Sequence, residues 1–165
     1  MDYGMIGKIE KARRYAREPH RVRLHTLAAT FQGDNDRYLI HLTPEGWDCS
    51  CPGFRTYHIC PHVMAMEKIL KPYLDRSPLP YAPGQNVVSD IEKANRYTHE
   101  TDRVQITAME AEFQGDNGVH SVQLVDGLWH CTCDFFRSRG VCCHTMALER
   151  MFGKLLVVKP SMAAV

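Results

Sequence analysis

Eight residues dominate any chemical reading of this chain. Cys49, Cys51, Cys60 and His62 form the pattern C-x-C-x8-C-x-H, and Cys131, Cys133, Cys142 and His144 repeat it at identical spacing. Three thiolates and one imidazole suit a tetrahedral zinc ion held for structure, because all four positions are filled by protein. A catalytic zinc keeps a position open for water or substrate, and neither set leaves one. The His-x-Glu and Pro-Cys-x-x-Cys signature of zinc deaminases is absent as well. We therefore expect two Zn²⁺ per chain and no enzyme activity. One alternative is an iron–sulfur protein of the CDGSH type. It too uses three Cys and one His, but its His lies four residues beyond the last Cys, and the Asp-Gly-Ser between them is missing here.

A single C-x-C pair would be weak evidence; the duplication is what gives it weight. An offset of 82 carries Ile9-Glu10-Lys11-Ala12 onto Ile91-Glu92-Lys93-Ala94, and Arg14-Tyr15 onto Arg96-Tyr97. The same offset carries Phe31-Gln32-Gly33-Asp34-Asn35 onto Phe113-Gln114-Gly115-Asp116-Asn117, and Trp47 onto Trp129. From Ile9 to Lys71 no gap is needed, and 26 of 63 aligned pairs are identical. The seventh cysteine, Cys143, breaks the symmetry: its counterpart is Pro61. It is read as a spare thiol or an alternative ligand rather than a regular member of the set.

These ligands must be held by small elements. Apolar positions at Met5, Ile6, Ile9, Ala12 and Ala16 predict an opening amphipathic helix, ended by Pro19. In the second copy, Ser89-Asp90-Ile91-Glu92 reads as a capping box for the matching helix. Residues 21–31, 37–42 and 47–51 predict three strands separated by Gly33-Asp34-Asn35-Asp36 and Pro44-Glu45-Gly46. Both thiolates of the C-x-C pair would then point to one face of the third strand, since side chains alternate with period two. Residues 61–70 read as a closing helix, with Cys60 at its N-cap, Pro61 at its first position and His62 in its first turn. Trp47 and Trp129 are expected as core anchors beside the metal.

The fold class expected is thus α+β, with two tandem small zinc-stabilised domains. Each is a helix, a three-stranded antiparallel meander, the Cys3His loop and a helix. The boundaries are 1–71 for the first domain, 72–89 for a Pro-rich linker, 90–153 for the second domain and 154–165 for a C-terminal tail. Pro80-Tyr81-Ala82-Pro83 in the linker fits the PxxP pattern, although a plain spacer is the commoner meaning. Units of about 63 residues bury marginal cores, so metal binding is expected to support folding.

The motif resembles that of the SWIM zinc-finger family: C-x-C, a spacer, then C-x-H. The resemblance implies a β-hairpin followed by a helix around zinc. SWIM domains occur within certain ATPases, transposases and ubiquitin-linked signalling proteins, and are thought to bind DNA or proteins. Here the two motifs and their strands fill most of the chain, so the resemblance does not imply those enzymes' activities.

Charge bears on the partner. The chain is near neutral, at +1, with +3 on residues 1–71 and −4 on residues 90–153. That is poor support for a general nucleic-acid binder. Locally, however, Lys8, Lys11, Arg13, Arg14, Arg17, Arg21 and Arg23 crowd one stretch. The first reading is a module that binds DNA or RNA with low sequence preference through Lys11, Arg13, Arg14, Arg17, Arg21 and Arg23. The alternative is a protein–protein interaction adaptor. Phe54-Arg55 and Phe135-Phe136-Arg137 place aromatics in the metal loops, where packing is a commoner role than base stacking. The absence of a long apolar run, with charged residues close to the N-terminus, points to a cytoplasmic protein without membrane contact.

Overall fold

A computed structural model describes residues 3–75 and 87–159. The PxxP segment at 80–83 lies outside the described residues, as does the tail beyond 159. In chain order the first repeat forms α1 (Tyr3–Tyr15), β1 (Val22–Gln32), β2 (Arg37–Thr43), β3 (Gly46–Cys49), α2 (Pro52–Tyr57) and α3 (Pro61–Ile69). The second forms α4 (Val87–Thr98), β4 (Val104–Gln114), β5 (Val119–Val125), β6 (Leu128–Cys131), α5 (Asp134–Arg139) and α6 (Cys143–Phe152). The fold is α+β, and each repeat contributes the expected three-stranded antiparallel meander. Helix α4 is already helical at Val87, so Ser89 sits within its first turn instead of capping it.

The two meanders are one sheet. Its strand order is β3-β2-β1-β4-β5-β6, antiparallel throughout, with β1 and β4 joined at the centre. Val22 pairs with Phe113 and Phe31 with Val104, while Leu27 pairs with Met109, its own counterpart in the repeat. A pseudo-two-fold axis therefore passes beside Leu27 and Met109. Both central strands carry an irregularity, one between Leu24 and Thr26 and one between Ile106 and Ala108. The extra residues, His25 and Thr107, are equivalent in the repeat. Each bulge shifts the alternation by one, so Val22 and Leu24 on one side of it and Leu27, Ala29 and Phe31 on the other all face the core.

The helices cover that face crosswise. Helix α1 packs on α6, and α4 packs on α3, so each repeat's opening helix lies on the other repeat's closing helix. Ile9 and Ala12, two of the apolar positions of α1, accordingly line a cavity with Met146, Glu149 and Arg150 of α6. The physical reason is area. A lone three-stranded meander with two short helices leaves its first strand as an open edge, and pairing β1 with β4 removes that edge. The buried side chains of both repeats form a single cluster, with Tyr15, Tyr97, Phe31 and Phe113 among its largest fully buried members.

Among the described residues the far side of the sheet carries exposed Leu39, Val119, Val125 and Leu128. After α6 the chain returns along β4, with Val157 N–H bonded to the Ile106 carbonyl and Lys159 N–H to that of Gly127. No helix among the described residues is long and apolar enough to cross a membrane.

Candidate metal centres

Each site is assembled by three consecutive pieces of chain. Cys49 is the last residue of β3, and Cys131 the last of β6. The strands stop there, which differs from the expectation that both thiols of C-x-C share one strand. Cys51 and Cys133 are already N-caps of α2 and α5, their sulfurs accepting from Phe54 N–H and Phe136 N–H at 3.4 Å. Pro52 follows Cys51 at the first helical position, where proline's fixed φ starts a helix. These one-and-a-half-turn helices in the x8 spacer were not read from the sequence, because six residues are too few to show a periodicity. They end at His58 and Gly140, both left-handed with φ of 60° and 73°.

Cys60 and Cys142 cap α3 and α6 as expected, accepting from Val63 N–H and Thr145 N–H. His62 and His144 then fall in the first turn. Two of the three sulfurs at each site thus sit at helix N-termini, where orphan N–H groups and the helix dipole favour a thiolate.

The eight residues meet in two groups of four, with all four ligand atoms of each group within 4.8 Å of one another. The Nδ1 of His62 lies 3.9 Å from the Cys49 sulfur, and the Nδ1 of His144 lies 3.7 Å from those of Cys131 and Cys142. A tetrahedral zinc with ordinary bond lengths would separate sulfur and nitrogen by about 3.6 Å. The donor set, its closeness and the absence of disulfides among these cysteines all fit zinc.

Without metal the donors share protons. Cys142 is pulled down to about 4, first by a hydrogen bond from the Cys131 thiol, and Cys131 is pushed up by that same bond and by burial. Burial works against the His144 imidazolium, yet hydrogen bonds with Cys142 and Cys143 outweigh it and hold the group at about 10. At the first site Cys51 is lowered by hydrogen bonds from Cys49 and Cys60. Those two are raised, Cys49 to about 11.

The surroundings of each site come from both repeats. The His62 ring meets Phe31 of its own repeat at 5.1 Å, and Tyr97 of the other stacks on it at 5.7 Å and 17°. His144 meets Phe113 at 5.0 Å and Tyr15 at 6.0 Å and 17°. Gly33 and Gly115 press against the ligand imidazoles: a Cβ there would lie 3.0 Å from His62 Nε2 or 3.1 Å from His144 Nε2. Beside each glycine an aspartate closes the exchange. Asp116 receives Arg14 at 2.5 Å, Arg21 at 3.1 Å and Lys11 at 3.8 Å, and its N–H donates to the Tyr15 hydroxyl at 2.9 Å. Asp34 receives Arg96 at 2.5 Å and Arg103 at 3.2 Å. Arg21 and Arg103 also donate to the carbonyls of Gln114 and Gln32. The repeated Arg-Tyr and Phe-Gln-Gly-Asp-Asn motifs, with Arg21 and its counterpart Arg103, are therefore one device, a clamp between repeats. Sequence reasoning used the two motifs only to align the repeats. The unbroken identity of Phe-Gln-Gly-Asp-Asn was the signal that it carries a contact.

This geometry divides the six basic residues singled out for nucleic acid. Lys11, Arg14 and Arg21 are drawn to Asp116, and Arg23 lies 3.5 Å from Asp75 in an exposed pair. Arg13 and Arg17 are exposed. Phe54 is buried, as packing predicts. Trp47 is buried, its indole N–H without a partner among the described residues, and Trp129 donates to Glu149 at 2.7 Å. Cys143 is buried beside His144 but is not one of the four clustered donors.

Closed Cys3His sites at a strand–loop–helix junction define a structural zinc finger. The SWIM zinc finger family model matches residues 38–70 and 120–153, so the chain carries two SWIM motifs in tandem. No curated protein and no solved structure matches the chain.

Proposed function

We propose that the protein is a non-catalytic zinc module that binds single-stranded nucleic acid weakly and with little sequence preference. The observation that carries this reading is at Phe135, in the second metal loop. Lys8 of α1 lies 5.0 Å from its ring centroid and the Arg139 guanidinium 5.5 Å. The crosswise packing of α1 thus brings a cation of the first repeat to an aromatic of the second. A partly exposed ring with two cations over it can give up one of these contacts to stack a base while both cations meet the phosphates. Arg13 on α1 and Arg17 just beyond its end are exposed and add positive charge to the same repeat. Arg14 is left out of the contact set, because its replacement would open the clamp at Asp116.

Fluorescence anisotropy with a labelled oligonucleotide tests this. Binding in the non-specific range, roughly 10⁻⁴ to 10⁻⁶ M, is expected, weakening steeply with salt. Phe135→Ala should cost about 1–3 kcal/mol, the usual contribution of one stacked base. Lys8→Glu with Arg139→Glu should abolish binding while both zincs stay. Absence of binding at low salt would overturn the reading in favour of a protein-interaction adaptor. The open sheet face supports that second reading through exposed Leu39, Val119, Val125 and Leu128.

A further inference from the structure

The two metal centres share a pattern but not surroundings. At the first, Cys49 and Cys60 are 0% exposed and Cys51 is 3% exposed. Beside His62, in addition to Phe31, Tyr97 and Gly33, stand Tyr38, 4.8 Å away, and Pro61, which precedes it in the chain. Neither is a ligand for a soft metal ion. At the second, each of these positions carries a donor instead. His120 replaces Tyr38, with its ring 4.5 Å from that of His144, and Cys143 replaces Pro61, directly before His144 and in the wall of the same cavity. Cys131 is only half-buried where Cys49 is sealed. A cavity of about 280 Å³ is lined by Cys133, Cys142 and His144 together with His120 and Cys143. Asp134, whose side chain is fully exposed, shares its wall, so water reaches it.

Taking the two-zinc reading as its basis, we propose that the second centre is an exchangeable metal site and the first a permanent one. Zinc has no ligand-field preference and expands to five ligands readily, so its exchange is limited by whether a new donor can reach it. The cavity gives that access at the second site. Cys143 and His120 are a thiol and an imidazole positioned to engage an ion as one of the four regular donors lets go. The partner this chemistry fits is a small zinc chelator whose donor atoms enter beside His144 and take the ion as the protein's donors let go. Cys143 and His120 act as positioning donors for the ion in transit. The first site, whose equivalents are Pro61 and Tyr38, offers no such hand-over.

The test is chelator kinetics on the full-length zinc-loaded protein, with 4-(2-pyridylazo)resorcinol as the coloured acceptor. Two phases of one zinc each are expected, separated by about tenfold or more, the scale on which groups around a metal tune its hold. Cys131→Ser should remove the fast phase and Cys49→Ser the slow one. His120→Tyr combined with Cys143→Pro installs the first site's residues, and proline is suited to the first position of α6. That variant should keep two zincs while the fast phase slows toward the slow one. Cys143→Ser alone should slow it in part. Release at a single rate, a fast phase belonging to the first site, or a fast phase unchanged in both substituted proteins would overturn the proposal. Purified protein without zinc would overturn the zinc reading itself, which the elemental ratio reports separately.

Discussion

At the scale of single residues, the sites are defined as much by what touches the imidazoles as by the ligands. Gly33 leaves room for His62 only because it has no side chain. Gly33→Ala would place a carbon 3.0 Å from Nε2, with Tyr38 equally close and the Asp36 carbonyl at 3.2 Å. The ring would have to turn away from the sulfurs. We expect zinc affinity at the first site to fall about 10- to 100-fold, as for other residues that orient a metal-bound histidine. Competition with a zinc-sensitive dye would measure it. Proton uptake gives a second check. At pH 7 the metal-free protein carries protons on Cys49, Cys60, Cys131 and His144, all raised above that pH. Zinc requires these donors deprotonated, so loading should release at least these four protons per chain, and affinity should fall as pH falls. Calorimetry in buffers of different ionisation enthalpy would count them. A release near zero would show that these donors are not the ligands.

At the scale of elements, each opening helix serves the other repeat's metal. Tyr15, the last residue of α1, stacks on His144, and Tyr97 near the end of α4 stacks on His62. Removing a buried aromatic costs about 3–5 kcal/mol. Tyr15→Ala should therefore loosen zinc at the second site although Tyr15 lies in the first repeat. Tyr97→Ala should do the reverse. Site-resolved zinc release would show the crossing, and loss confined to the mutated residue's own repeat would refute the exchanged packing. The clamp has a pH signature too. The Arg14 hydrogen bond holds Asp116 below the usual carboxylate range, and the Arg96 bond does the same for Asp34. A depressed carboxylate stabilises above its unfolded value near 4 and loses that contribution as pH falls through the folded one. These pairs are exposed, so their individual contributions are small.

At the scale of the molecule, one sheet and one core replace two separable units. Strands β1 and β4 meet along nine residue pairs, from Val22 with Phe113 to Phe31 with Val104. Chemical unfolding should then be a single transition, with Trp47 and Trp129 reporting the same midpoint when each is studied as the only tryptophan. Cys49→Ser should lower both midpoints together. Two separated transitions, one per repeat, would show that the shared sheet does not couple them.

Much of this was legible in the residues alone. The ligand spacing gave both metal sets, and the 82-residue offset identified the repeat. Strand alternation placed the meanders to within about two residues, because each signal is local: a period, a turn or a donor spacing is written in neighbouring positions. What crossed between the repeats was not legible. Nothing local distinguishes a helix that packs on its own strands from one that packs on its partner's. Arg14, Lys11 and Arg21 read as a basic surface because Asp116, which neutralises them, lies about a hundred positions away. Phe135 likewise acquires Lys8 only through the fold. Sequence determined the donors and the longer elements, but not the short helices α2 and α5 between the donors. Tertiary structure decided which charges remain free, which ring backs which histidine, and that the two copies close into one sheet, because long-range pairing is chosen by the total area and edge it buries.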